Sequence, residues 1–355
     1  MKRTITILLA LVMVLSILLA GCGGAQTTAP KEETKKTDET TAAKAEEPKK
    51  EEPKTQEAKF DPANTLLSVL MPVKGHPVHR IVQLGFLEKA KQLGYKAEVD
   101  GIDGSSSAEL WAAGETALSK GIKGMLVWGG DESCYPFIKK CRDAGVKTVI
   151  PHFKHDQAKI PELDANLSAD PYKYGQEVAK AIGEKLKGKK GSVAITQGSM
   201  NITENSAAKG FTEGMKAYPD IKVLAPVEEG FDPPAAIAKA AAIIQGNKDL
   251  LGAFGTTGGS PQTWSGAMDQ TKRPDLVCVG MDYTEQNIDL VKQGKIFAIV
   301  AQPLYEEASK SAEILDKLLR GEKVEYFTPL DAPVVTKDGI DQYADIIKRV
   351  KEWFK

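Results

Sequence analysis

Two polar residues close two short apolar runs. Asp282 follows Leu276–Met281, and Gln302 follows Ile296–Ala301. A carboxylate accepts hydrogen bonds and a primary amide both donates and accepts, so the pair can hold a ligand rich in hydroxyls. A plainer reading makes Asp282 the cap of the next helix and Gln302 a turn residue ahead of Pro303. All four histidines fall in two H-x-x-H pairs, His76 with His79 and His152 with His155, and each pair follows an apolar run. Clustered imidazoles can ligate zinc or another borderline metal, exchange hydrogen bonds with hydroxyls while neutral, or make binding depend on pH between about 5 and 8. No nearby cysteine completes a metal set, so no metal and no cofactor are expected. The chain has no G-x-S-x-G elbow, P-loop or Rossmann fingerprint after a strand, which argues against an enzyme.

These groups need elements to position them. Between the two apolar runs lies a helix-length segment from Thr284 to Gly294, so 275–303 reads as strand, crossover helix, strand. In a parallel sheet, Asp282 and Gln302 then arrive at the carboxyl edge, where open α/β sheets bind ligands. The same alternation runs from Leu66 onward. Strands are expected at 66–72, 96–100, 124–128, 147–151, 192–196, 222–227, 250–255, 276–281 and 296–301. Helices are expected at 78–93, 132–144, 171–186, 204–217, 234–245, 262–270 and, last, 340–354. Strict alternation implies parallel sheets covered on both faces. About 290 residues of it exceed one comfortable core, so two lobes are expected.

Composition agrees. The 355 residues are 42% hydrophobic and 27% charged, with a net charge of -1, which excludes the basic surface that nucleic acid requires. Cys134 and Cys141 lie seven apart on one expected helix, roughly 10 Å along its axis, too far for a disulfide. Cys278 reads as a buried strand residue. The basic start Met1-Lys2-Arg3 and the apolar run Ile5–Ala20 read as a signal peptide over 1–21. Leu19-Ala20-Gly21-Cys22 resembles the lipobox of bacterial lipoproteins, which implies a lipidated Cys22 and a membrane anchor on the extracytoplasmic face. Residues 22–63 are Lys, Glu, Thr, Ala and Pro with almost no large apolar side chain, a composition expected of a disordered tether.

Gly94-Tyr95, Lys209-Gly210-Phe211, Val279-Gly280-Met281-Asp282 and Ala301-Gln302-Pro303 carry a wider resemblance. Over Leu66–Val335 the sequence is similar to the sugar-binding type I periplasmic binding proteins of ABC transporters, most nearly the ribose-binding branch. The resemblance implies an α/β fold of two similar doubly wound parallel-sheet lobes joined by a three-strand hinge. One lobe would be 64–152 completed by 303–331, the other 153–302 completed by 332–355. It implies a monomer that captures a monosaccharide or polyol between the lobes and hands it to a permease. The same fold could serve a receptor subunit that feeds a sensor kinase. Carried over by position, the ligand residues would be His76, His79, Asp131, His152, Asn205, Phe231, Thr257, Asp282 and Gln302. Asn205 and His152 stand where the ribose binders carry arginines, and Thr257 where they carry asparagine, which argues against ribose itself. Trp128 reads as a buried strand residue that could also offer a stacking face.

Overall fold

The computed structural model describes residues 60–355; the expected signal peptide, Cys22 and nearly all of the tether lie outside them. Thirteen strands occur among the described residues. They are β1 (Leu66–Met71), β2 (Lys96–Gly101), β3 (Gly124–Val127), β4 (Lys147–Pro151), β5 (Ala165–Ala169), β6 (Gly191–Gln197), β7 (Ile221–Val223), β8 (Val227–Glu228), β9 (Leu250–Gly255), β10 (Val277–Met281), β11 (Ala298–Val300), β12 (Phe327–Leu330) and β13 (Val334–Thr336). The helices are α1 (Pro77–Gln92), α2 (Ser107–Leu118), α3 (Tyr135–Asp143), α4 (Pro171–Lys185), α5 (Ile202–Gly214), α6 (Pro233–Gly246), α7 (Ser260–Thr271), α8 (Glu285–Lys292), α9 (Leu304–Leu319) and α10 (Asp341–Trp353).

Two sheets result. The first is parallel throughout, in the order β12-β5-β4-β3-β1-β2. The second runs β13-β11-β10-β9-β6-β7, with β8 also on β6, and only β13 is antiparallel to its neighbour. Helices cover both faces, which is why β1 and β10 are apolar runs buried along almost their whole length. In the first lobe α1 packs with α9 on one face, and α2 and α3 bury Leu110, Phe137 and Ile138 on the other. In the second, α4 packs with α5, and α6 with α7. Several helices start on sequence signals. Proline occupies the first turn of α1, α4 and α6, and His76, Asp170 and Asp232 accept hydrogen bonds from first-turn amides as caps.

The chain passes between the sheets three times: after β5, after β11, and between β12 and β13. The first passage corrects the expected boundary at 152/153, because β5 belongs to the first sheet. Its sequence, ANLSA, is too small and polar to read as an apolar run. The buried Asn166 amide holds it in place by donating to the carbonyls of Ile150 and Phe153, each at 2.7 Å. The tail is also shared more widely than expected. β13 joins the second sheet, but α10 lies against α1 of the first lobe and α8 of the second. It buries Tyr343, Ile346 and Val350 and sets Tyr343 on Tyr283, ring centroids 4.5 Å apart. Ion pairs fix it on both sides, Arg349 to Glu88 on α1 and Asp341 to Lys292 on α8. Besides β5, the strands β12 and β13 and the helices α2 and α9 occur where the sequence reading placed no element.

Candidate ligand-binding cleft

A cleft of about 650 Å³ opens between the lobes. The first lobe contributes His76 and Arg80, the second Glu229, Phe231, Thr257 and Asp282, and α10 supplies Ile347 and Val350. The contributing loops follow β1, β8, β9 and β10. Strand order reverses between β1 and β3 in the first sheet and between β6 and β9 in the second, so the loops there diverge and leave a crevice. The loops are strained where they turn. Val73, His152, Met200 and Asp282 have φ of 40, 71, 51 and 68°, the left-handed region that side chains avoid, and they follow β1, β4, β6 and β10. Such conformations persist where the surroundings enforce them, and they gather at binding sites.

Asp282 shows how that enforcement works. Its backbone N–H donates to Val300 O at 2.9 Å. The buried Asn287 amide donates to the carbonyls of Gly258, Met281 and Asp282 at 2.9, 3.0 and 3.1 Å, tying the β9–α7 loop to the β10–α8 loop. The cap of α8 is Thr284, which accepts from Asn287 N, so Asp282 is free of the capping role. The residue is 5% exposed, and its Oδ1 is buried without a hydrogen-bond partner among the described residues. Burial pushes its pKa up to about 7, with His152 opposing the rise and Glu307 adding to it. Glu229, in the loop after β8, is 1% exposed. Its Oε1 accepts from Ser260 Oγ at 2.7 Å and Thr257 Oγ1 at 3.2 Å, while Oε2 is buried without a partner.

The first lobe presents rings instead. Trp128, just past β3, stacks on His152 at 4.8 Å and meets His79 and Phe153 edge-on at 5.3 Å each. His79 Nδ1 donates to Pro72 O at 2.7 Å and Val73 O at 3.1 Å, which leaves Nε2 as an acceptor. Burial, with His76 beside it, holds its pKa down near 4, so it is neutral at pH 7. His152 Nδ1 lies 3.2 Å from Oε1 of Glu307, a fully buried residue in the first turn of α9. Burial alone would depress the His152 pKa, but the charge and hydrogen bond of Glu307, together with Asp282, raise it. His76 caps α1 and stands 5.2 Å from His79.

The structure therefore brings His76, Phe231, Thr257 and Asp282 together on the cleft. His79 and His152 lie behind, in the ring cluster around Trp128. Asp131 and Asn205 are not on the cleft. Asp131 is exposed and caps the turn before α3 through Ser133 N at 2.8 Å. Asn205, in the first turn of α5, is tied to the end of β6 and the loop after it, accepting from Gln197 Nε2 at 3.0 Å and donating to Met200 O. Both are loop-building polar groups, the role that Asp and Asn most often fill at turns. Gln302 is half-buried at the second passage between lobes and does not line the cleft. The second histidine pair is split, because His155 turns away to Tyr135 OH at 3.2 Å and Gly129 O at 2.8 Å, while His76 and His79 stay together. Among the described residues no group of three or more His, Cys, Asp or Glu is placed to hold a metal. Sequence reasoning missed Glu229 and Glu307. The first looked like one of several loop acids, and the second meets its partner across 155 residues of chain.

Residues 67–323 match a family model described as "Periplasmic binding protein domain". The chain is 24% identical over 262 residues to the D-apiose import binding protein of Actinobacillus succinogenes, covering 72% of this chain and 83% of that one. It is 24% identical over 280 residues to the ribose import binding protein of Escherichia coli K12, covering 78% and 92%. Among solved structures, a sugar-binding protein of a sugar ABC transporter from Bacillus halodurans shares its fold with a TM-score of 0.72 at 21% identity, over 79% of this chain and 99% of that one.

Proposed function

The chain belongs to the periplasmic binding protein domain family, and from that premise we propose that it captures a monosaccharide or polyol between its lobes and delivers it to the permease of an ABC importer. The family is one of solute-binding transport proteins rather than enzymes, and its members work outside the cytoplasm. The observation that carries the ligand class is Asp282. It is a buried carboxylate at the mouth of the cleft, with one oxygen that no protein group satisfies. An unpartnered buried acceptor costs roughly 1–3 kcal/mol, and a ligand hydroxyl removes that cost on binding. Phe231, 72% exposed on the same wall, offers an apolar face against which the C–H side of a ring can lie. Loss of the two arginines and the asparagine of the ribose binders favours a ligand other than ribose.

A thermal-shift screen of the full-length protein over neutral sugars, polyols and sugar acids tests this reading. A true ligand at 100 times its Kd adds about 2.7 kcal/mol of stability, a shift of several degrees. If no carbohydrate raises the melting temperature, the sugar reading fails. The address is a separate proposal. Cys22 is taken to carry the lipid, with 22–63 as a tether on the extracytoplasmic face and the folded part a monomer. Cys22→Ala should abolish incorporation of radiolabelled fatty acid, and unchanged incorporation would contradict the lipid assignment.

A further inference from the structure

We propose that Glu229 is a second ligand-gripping carboxylate and that, with Asp282, it restricts the cleft to donor-rich ligands that carry no negative charge. This rests on the binding reading above and adds to it a residue and an exclusion. The two carboxylates stand on either side of the Thr257-Gly258 turn. Glu229 Oε1 is 3.2 Å from Thr257 Oγ1, and a Cβ on Gly258 would lie 2.7 Å from Asp282 Oδ2, so the turn lies directly against both acids. Each acid faces the cleft, each is more than nine-tenths buried, and each keeps one oxygen without a partner.

Glu229 is fixed by its other oxygen. Ser260 Oγ donates to Oε1 from the first turn of α7, so the carboxylate cannot rotate away to find water. Two buried acceptors a short turn apart, one of them anchored, suit two hydroxyls of one small molecule. Charge then sets what is refused. The second-lobe wall carries Glu229, Asp282 and Glu285 and neither Lys nor Arg. Glu285 is paired with Lys351 of α10, and the cleft's other cation, Arg80, stands on the opposite lobe. A ligand carboxylate or phosphate brought against this wall would meet buried acceptor oxygens and no cation from the second lobe, a penalty that neutral or amino-bearing polyols, which donate to those oxygens, do not incur.

The experiment measures apo melting and ligand-induced shifts for the full-length parent and for Glu229→Gln. The probes are ribose, xylitol, glucose and glucosamine, with ribose 5-phosphate and glucuronate as anionic counterparts. Gln keeps the acceptor toward Ser260 and Thr257 and removes the unpartnered carboxylate oxygen, so the apo variant should melt at or above the parent temperature. A melting temperature several degrees below the parent would make Glu229 a structural group and overturn the proposal, whatever the ligand is. The best-binding neutral or amino probe should lose at least tenfold in affinity in the variant, and the anionic probes should not shift the parent. Unchanged affinity, or a parent that prefers an anionic probe, would overturn it. If no probe shifts the parent at all, the best carbohydrate from the wider screen takes the probes' place, and the apo melts decide by themselves whether Glu229 is a structural group.

Discussion

The two walls of the cleft are made of different chemistry on the same architecture. The first lobe puts His76 on the cleft and, behind it, a ring cluster of His79, His152 and Phe153 around Trp128. The second gathers oxygen acceptors and hydroxyls, Glu229, Asp282, Thr257 and Ser260. Both sets follow parallel strands at a reversal of strand order, so the backbone alone does not decide which wall does what. A stacked surface supplies area and shape with little directionality, whereas a buried carboxylate fixes where a hydroxyl must be. The difference implies that the second lobe sets affinity and selectivity while the first covers the ligand as the lobes close. The two are coupled through charge, since His152 and Glu307 of the first lobe act on the carboxyl of Asp282 in the second.

The largest effect should follow from removing the buried carboxyl of Asp282 from the acceptor wall. Asp282→Ala should weaken binding of the ligand found in the screen by at least about a hundredfold, roughly 2.7 kcal/mol, as read by calorimetric titration. Affinity within threefold of the parent would place the ligand elsewhere. Folding should not suffer, because the residue is a buried, poorly satisfied carboxyl. The pH dependence carries the same sign. Its folded pKa of about 7 lies above its unfolded value, so its contribution to apo stability is present below about pH 4 and is lost as pH rises through about 7. His152 and Glu307 face the group and titrate in both proteins. The melting difference between Asp282→Asn and the parent should therefore move in the variant's favour from pH 4 to pH 7.

A middle-sized effect should come from Asn287, which touches no ligand. Asn287→Ala removes the amide that joins the loops of Gly258 and Asp282, at a cost of roughly 2 kcal/mol of stability. Affinity should fall with it, because the strained φ of Asp282 loses its support; chemical denaturation and titration of the one variant measure both. The smallest effect belongs to the ring wall. Trp128→Phe keeps a ring but loses part of its stacking on His152 and should cost about 1 kcal/mol of binding, close to fivefold. If Trp128→Phe costs more affinity than Asp282→Ala, the assignment of roles to the two walls is reversed.

How much of this could be read from the chain depended on whether a signal was local. Asp282 was legible because an apolar strand and a helix start bracket it, and the two-lobe α/β fold because alternation repeats for nearly 300 residues. β5 was not, since ANLSA is stabilised by the distant hydrogen bonds of Asn166 rather than by its own apolarity. Asp131 and Asn205 sit after strands much as Asp282 does, yet their side chains are spent on their own loops. Only the partners of each side chain separate these cases. Glu229 and Glu307 look in sequence like surface acids, and their burial is a property of contacts with Ser260 and His152 that no local pattern records. Likewise, nothing in the amphipathic sequence of α10 says that its apolar face is divided between two lobes.

If the two lobes close on one ligand, a distance across the cleft must change when it binds. Ser105 follows β2 in the first lobe and Ala235 begins α6 in the second; both are exposed, and Cys134, Cys141 and Cys278 are buried. Spin labels on Ser105→Cys and Ala235→Cys, in a Cys22→Ala background, would report the separation of the lobes with and without the ligand from the screen. The distance distribution should shorten and narrow at saturating ligand, and should stay at its apo value when Asp282→Ala is added at the same ligand concentration. A ligand shown by calorimetry to bind while the distance remains unchanged would contradict closure on the ligand.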